Sequence, residues 1–186
     1  MPDSRAGLLA RILDFAARDG LADRSLREIA TGVGTSHRML LYHFGSREGL
    51  LAAVVGAMEE RQRAAMAALA ETAQTPGELM SRLWQQVSSP EIRPFVRLFF
   101  EVFALATRKT PGTEQVLAGL TTSWLDDAAK VAERLGVEPD RAALRLGVAV
   151  SRGLLLDLLA GADHAEVTAA HDLFVRLAED YRRAGK

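Results

Sequence analysis

The stretch that most constrains this chain is Ser25–Arg47, SLREIATGVGTSHRMLLYHFGSR, because it marks where one short helix begins and ends and where another begins. Its first four residues have the form of a capping box. In such a box the Ser25 side chain accepts a hydrogen bond from the Glu28 amide, while Glu28 accepts one from the Ser25 amide. Apolar residues then recur at helical spacing, namely Leu26, Ile29, Ala30 and Val33. The pattern predicts a short amphipathic helix.

Two glycines follow this helix and predict a tight turn. Gly32 and Gly34 favour the end of the helix, since glycine tolerates the left-handed backbone that closes helices. Thr35 or Ser36 is suited to cap a second helix, which we expect to run through residues 37–42. Two short helices joined in this way form a helix-turn-helix, whose second helix enters the major groove of DNA. Helical proteins that bind no DNA also contain such a pattern, so periodicity alone leaves both interpretations open.

The charge of the stretch favours DNA binding. Residues 35–47 contain two arginines, two histidines and one tyrosine but no acidic residue, whereas the whole chain has a formal net charge of −1. Such side chains donate hydrogen bonds to phosphates and to base edges. The near-neutral chain argues against non-specific coating of nucleic acid and is compatible with one small positive face.

The run LREIATGVGTSHRMLLYHFGSREGLL resembles the DNA-binding domain of the TetR family of transcriptional regulators. That family's pattern has a short helix ending in Ala and Gly, then Ser, Leu-Tyr-x-His-Phe, a small residue, Ser-Lys and Glu-x-Leu-Leu. The residues that match in register are Ala30, Gly34, Ser36, Leu40, His43, Phe44, Ser46, Glu48, Leu50 and Leu51. The resemblance is strong over the first third of the chain and rests on length and helical layout beyond it.

Three positions depart from the family pattern. Arg47 replaces the usual lysine and keeps a donor for phosphate. Leu41 stands where a tyrosine is frequent, with Tyr42 next to it, and Arg38-Met39 replaces a frequent Gly-Thr. The last two departures change the surface that faces the groove.

The resemblance implies an all-α protein with two domains. Residues 1–46 would form an N-terminal three-helix, helix-turn-helix DNA-binding domain, and residues 47–186 a C-terminal helical ligand-binding and dimerisation domain. The family's members are homodimers that bind palindromic operators, so we expect a repressor that a small, largely apolar effector releases. The expected base contacts are Thr35, Ser36, His37, Arg38 and Met39, and the expected phosphate contacts are Ser25, Arg27, Tyr42, His43 and Arg47.

The rest of the chain is predicted to be helical. A first helix over residues 4–19 is expected to pack across the helix-turn-helix, and a fourth, over about 47–72, to link the two domains. A long helix is predicted over 113–135, and two more over 139–160 and 163–183. Val167, Ala170, Phe174, Leu177 and Tyr181 recur at the spacing of a helical bundle seam. The last two helices are therefore expected to form the dimer face, the alternative being that they only complete the monomer core.

Large side chains of the second domain are candidates for an effector cavity. By resemblance, the expected ligand-binding residues are Met80, Trp84, Phe99, Phe103, Trp124 and Arg152. Ordinary core packing is the alternative for each aromatic residue. Arg152 interrupts an apolar helix, where a buried charge is costly unless it is paired. It therefore serves a ligand, pairs with Asp157 or faces solvent at the dimer edge.

Other functions have weak support in the sequence. The chain has no cysteine, no Walker sequence and no Gly-x-Ser-x-Gly, so we expect neither an enzyme nor a cofactor. His164 and His171 have acidic neighbours, but a solvated helix face is the expected role rather than a metal site. Without a signal sequence or an apolar run of ~20 residues, a cytoplasmic protein is expected. A DNA-binding dimer controlled by a protein partner, without a small ligand, stays open, as does an enzyme or storage protein with an incidental helix-turn-helix.

Overall fold

The computed structural model of the chain describes residues 4–21, 23–113 and 116–184, without the side chains of Ala118 and Thr121. Within these residues the regular secondary structure is helical and includes no strand, which confirms the predicted all-α fold class. The α-helices are α1 (Arg5–Asp19), α2 (Leu26–Gly32), α3 (His37–Phe44), α4 (Arg47–Ala70), α5 (Pro76–Val87), α6 (Arg93–Thr107), α7 (Val116–Ala118), α8 (Trp124–Arg134), α9 (Arg141–Ala160) and α10 (His164–Ala184).

The chain divides into two compact units. Unit 1 contains the described residues up to Glu60 together with Pro94–Leu120, and unit 2 contains Arg61–Arg93 and the described residues from Thr121 onward. Helix α4 contributes residues to both units. The predicted division at residue 46 is one of function. It assigns DNA binding to residues 1–46 and ligand binding with dimerisation to residues 47–186, and it stays a prediction.

The core of unit 1 joins α1, α2, α3, α6 and the first part of α4. Helix α1 packs against α2, and α2 packs against α3. The fully buried residues of this core include Leu8, Ile12, Ile29, Leu40, Leu50, Leu51, Val54 and Val102. Helix α1 begins at its predicted cap, where Ser4 Oγ accepts from the Gly7 amide at 3.1 Å. Its Arg5 guanidinium lies 5.3 Å from the centre of the Phe44 ring, so a cation–π contact joins α1 to the end of α3.

The core of unit 2 is built from α5, α8, α9, α10 and the last part of α4. Helix α10 packs against α9 and α5, and α8 packs against α9. One cluster contains Met66, Ala70, Ala73, Leu79 and Val131, and another contains Trp84, Leu158 and Val167. Helix α5 lies against α10 at Gly77, where an added side chain would collide with Glu179. Helix α10 therefore contacts both α5 and α9.

Two sequence predictions about helices are wrong in part. The helix predicted over 113–135 is interrupted, because a π-helical turn over Gly119–Ser123 separates α7 from α8. This segment, GLTTS, is rich in residues of low helix propensity, which favours the wider turn. The predicted seam of α10 also mixes two faces. Val167 is buried and Phe174 lies beside Gly147 of α9, whereas Leu177 and Tyr181 are exposed.

Candidate nucleic-acid interface

Helix α2 begins at the capping box that the sequence predicts. The Glu28 amide donates to Ser25 Oγ at 3.3 Å, and the Ser25 amide donates to a Glu28 carboxylate oxygen at 2.8 Å. The Ser25 hydroxyl donates to the same oxygen at 2.7 Å. The hydrogen bond from the Ser25 hydroxyl, followed by that from its amide, lowers the pKa of Glu28. The charged carboxylate therefore stabilises the start of the helix that precedes the turn.

The turn between α2 and α3 is closed by Gly34. Its backbone has φ +68°, a left-handed conformation that glycine adopts without steric cost. The Gly34 amide donates to the Thr31 carbonyl at 3.2 Å, and the Thr35 amide donates to the Ala30 carbonyl at 2.9 Å. This pair of hydrogen bonds is a Schellman motif, which ends α2 and fixes the direction in which the chain enters α3.

Helix α3 is anchored by apolar residues on one side and exposed on the other. Of its two predicted caps, Ser36 is the one used, since its Oγ accepts from the Met39 amide at 3.1 Å. Leu40 and Phe44 are buried in the core of unit 1. Tyr42 is 79% exposed, and the exposed Arg38 forms no ion pair or side-chain hydrogen bond with another described residue. Polar donors therefore extend from a helix that the core of unit 1 holds through its other side.

The structure brings the predicted DNA-binding residues together in unit 1, on α2, α3, their caps and the first residue of α4. The exposed ones are Ser25, Arg27, Ser36, Arg38 and Tyr42, and the partly buried ones are Thr35, His37, Met39, His43 and Arg47. Their individual contacts to DNA stay predictions.

The Arg47 guanidinium is bound within the protein. Its Nε donates to the Arg24 carbonyl at 3.0 Å, and its Nη1 lies 3.4 Å from Glu101 Oε1 of α6. The sequence contains no local signal for this pair, since Glu101 is distant from Arg47 along the chain. The carboxylate next to the predicted phosphate donor is therefore a feature that sequence reasoning missed.

The predicted ligand-binding residues fall into different clusters. Phe99 and Phe103 belong to unit 1, where their rings stack at 6.1 Å between centroids. Met80, Trp84, Trp124 and Arg152 belong to unit 2. Trp84 is 3% exposed, and its indole Nε1 donates to Thr168 Oγ1 at 3.2 Å. The assignment of these residues to an effector stays a prediction.

His171 is buried, so the predicted solvated role is wrong for this histidine. It is 2% exposed, and its ring stacks on Trp84 with 4.7 Å between centroids and 10° between planes. Its Nδ1 has no hydrogen-bond partner among the described residues. Burial lowers the pKa of His171, an effect that the charge of Asp172 partly opposes. Its spacing from Val167 and Val175, four residues to either side, is the sequence signal that could have revealed an inward position.

Helices α9 and α10 carry an apolar surface on their outer sides, called the outer face below. On α9 it consists of Ala142, Leu146, Ala149, Gly153, Leu156 and Ala160, all exposed and separated by alternating steps of four and three residues. On α10 it consists of Ala170, Leu173, Leu177 and Tyr181, also exposed. Leu146, Leu156, Leu173 and Leu177 are each 50–58% exposed. The alternating spacing is typical of helices that pack against other helices.

Neither a metal-binding cluster nor a membrane-spanning helix is present among the described residues. No group of three or more histidine, cysteine or acidic side chains is arranged to hold a metal ion. None of the described helices combines the length and the apolar character that a membrane crossing requires.

The chain is similar to known proteins in sequence and in fold. Residues 8–54 match the family model of the bacterial regulatory proteins of the tetR family. No curated protein sequence gives a significant match. The matched residues extend from α1 into α4 and include every predicted DNA-binding residue.

Solved structures share the fold of the chain. A transcriptional regulator from Rhodococcus sp. Rha1 is 18% identical, with a TM-score of 0.70 over 94% of this chain and 95% of its own. The multidrug binding protein EbrR, complexed with imidazole, is 24% identical, with a TM-score of 0.63 over 95% and 94%. A protein from Saccharomonospora viridis assigned as a transcriptional regulator, in complex with choline, is 21% identical, with a TM-score of 0.68 over 97% and 96%.

Proposed function

We propose that this chain, whose residues 8–54 match the tetR family model, is a transcriptional regulator that binds a palindromic DNA operator as a homodimer, represses transcription there and is released by a small effector. The observation that carries the proposal is the exposed polar side of α3. Leu40 and Phe44 hold this helix in the core, and Arg38 and Tyr42 point away from it into solvent. A protein that binds an operator in this role would act in the cytoplasm.

Sequence readout is assigned to the beginning of α3. In a helix-turn-helix the residues at the start of the second helix approach the base edges. In this chain those residues are Thr35, Ser36, His37, Arg38 and Met39. Arg38 has the strongest claim to a specific base, because a guanidinium binds guanine through two hydrogen bonds. Phosphate contacts are assigned to Ser25, Arg27, Tyr42, His43 and Arg47, which orient the helix without reading sequence.

Dimerisation is assigned to the outer face of α9 and α10. Four half-exposed leucines on adjacent helices form more apolar surface than isolated surface residues normally do. A two-fold axis would place the outer faces of two protomers together as a four-helix bundle. Gly153 is open to solvent, with no atom near the position of an added Cβ, so it allows a partner helix to approach closely. The dimer would place two α3 helices in successive major grooves, about 34–36 Å apart.

Effector control is assigned to unit 2. The fold accommodates small organic molecules in related structures, since EbrR was solved with imidazole and the Saccharomonospora viridis protein with choline. Helix α4 is one continuous helix whose first residue lies next to the helix-turn-helix and whose last residues belong to unit 2. An effector that moves α4 would change the distance between the two α3 helices of the dimer. Simultaneous binding of both half-sites depends steeply on that distance. Control by a protein partner is the alternative, and it predicts that no small molecule releases DNA.

The test is a selection of random duplex DNA by the purified full-length protein at near-physiological salt. We expect a palindrome whose half-sites are centred about one helical turn apart. The recovered duplex then serves as the probe in a screen for small molecules that release it. Recovery of no motif would refute the proposed function, because the helix-turn-helix would then be architecture without sequence readout.

The role of Arg38 has its own test on the selected duplex. Arg38→Ala should relax specificity at one base position of each half-site, at a cost of about 1–3 kcal/mol for the preferred base. Arg61→Ala is the matched control, because Arg61 is an exposed arginine of unit 2. Equal weakening of Arg38→Ala on all duplexes would contradict a base contact and indicate a phosphate contact instead.

A further inference from the structure

We propose that Glu101 of α6 sets the affinity of the DNA-binding surface by competing with phosphate for the Arg47 guanidinium. The inference rests on the proposed function. Glu101 belongs to unit 1 although it lies outside the predicted DNA-binding domain, residues 1–46. It would act as a positioning residue that no local sequence pattern indicates.

The geometry of Arg47 supports competition. Arg47 is the first residue of α4, where the positive end of the helix dipole disfavours a cation. Glu101 Oε1 at 3.4 Å from Nη1 compensates that charge, and the Arg24 carbonyl at 3.0 Å from Nε holds the guanidinium beside the start of α2. The side chains of Arg47 and Glu101 are 28% and 33% exposed, so both remain accessible to an approaching duplex.

The core and a tight turn hold Glu101 in place. Its neighbours on α6, Leu98 and Val102, are 3% and 0% exposed in the core of unit 1. After α6 the chain turns at residues 110–113, where the Thr113 amide donates to the Thr110 carbonyl at 3.2 Å. Gly112 in this turn has φ +89° and lies against the first turn of α4, since a Cβ there would be 3.1 Å from the Gly49 nitrogen. The buried residues of α6 and the Gly112 turn therefore hold Glu101 near the start of α4.

The electrostatic consequence follows from the two charges. A phosphate that takes the Nη1 donors of Arg47 displaces the Glu101 carboxylate, which accepts hydrogen bonds but cannot donate one. The carboxylate left behind then repels the phosphate and attracts a cation from solution. Part of the counterion release that Arg47 would give on binding DNA is thereby cancelled. Because phosphates carry no sequence information, the effect should be the same on specific and non-specific duplexes.

The experiment measures binding of the full-length protein to the selected duplex and to a scrambled duplex over a range of salt concentrations. Glu101→Gln should raise affinity for both duplexes by roughly 3–10-fold and steepen the plot of log K against log salt by up to about one unit per protomer. The same substitution in an Arg47→Ala background should change neither quantity, because the side chain that Glu101 restrains is then absent.

Asp14→Asn is the matched control, since it removes one negative charge from an exposed residue of α1 that has no ion pair with another described residue. It should leave the salt slope unchanged. If the wild-type protein binds the selected duplex, two results would overturn the inference alone. One is a salt slope of Glu101→Gln equal to that of the wild type. The other is a change in affinity or salt slope from Glu101→Gln that persists in the Arg47→Ala background. Weaker binding by Glu101→Gln with a lower melting temperature would also overturn it by showing a purely structural role. Failure of the wild-type protein to prefer either duplex would overturn the proposed function as well.

Discussion

Replacement of Leu177 by alanine tests whether the outer face of α9 and α10 is a dimer interface. Leu177 is 58% exposed in the single chain. Complete burial of a leucine side chain contributes about 1.5–3 kcal/mol, so loss of the covered part of Leu177 should cost roughly 1 kcal/mol per protomer. A two-fold interface contains the residue twice, which gives about 2 kcal/mol per dimer and a dissociation constant about 30-fold higher.

The dissociation constant of the dimer is measured by analytical ultracentrifugation over a dilution series. Leu41→Ala is the matched control, because Leu41 is 38% exposed but belongs to α3 in unit 1, whereas the outer face belongs to unit 2. We expect that control to dimerise like the wild type. A Leu177→Ala dissociation constant within twofold of wild type, or a wild-type protein that is monomeric at micromolar concentration, would refute the assignment of this face. A shift of similar size in Leu41→Ala would instead indicate association through unit 1.

Three further predictions concern local contacts. Because burial lowers the pKa of His171 below its unfolded value near 6.5, the folded protein should lose stability as pH falls from 6.5 through the folded pKa. Denaturant unfolding at several pH values should show this loss, and His171→Phe should remove the part of the pH dependence that His171 causes. Gly32→Ala should lower the unfolding free energy by about 1–3 kcal/mol, because the new methyl collides with the Phe15 ring. Gly56→Ala, which has open space in α4, should raise it by about 0.5–1 kcal/mol, and equal effects of the two variants would contradict the contact between Gly32 and Phe15. Ser36→Ala should cost about 1 kcal/mol and weaken operator binding, whereas an unchanged melting temperature would show that the cap of α3 is dispensable.

The most reliable sequence predictions concerned interactions between residues close in the chain. The capping box at Ser25, the turn at Gly34 and the beginning of α1 at Ser4 all formed as predicted. Each depends on hydrogen bonds that span three to five residues, so its energy is decided by the local sequence. The position of α3 as an exposed helix after a glycine turn follows from the same local signals.

Predictions that depended on the orientation of a helix were less secure. The sequence identified α9 as an apolar helix interrupted by Arg152, but it did not indicate which of its residues point outward. The tertiary structure decided that Leu146 and Leu156 are exposed. In α10 the sequence pattern combined the buried Val167 with the exposed Leu177, because a heptad spacing fits either face when both are apolar.

The sequence alone indicated an all-α chain with a helix-turn-helix near its start that resembles the TetR family. Only the tertiary structure decided what surrounds particular side chains. It placed His171 against Trp84 rather than in solvent, and it placed the Glu101 carboxylate beside Arg47. The physical reason is that burial and ion pairing depend on helices far apart in the chain, whereas caps and turns depend on adjacent residues. The polarity of a histidine or an arginine indicates chemistry, but its neighbours determine how much of that chemistry is available.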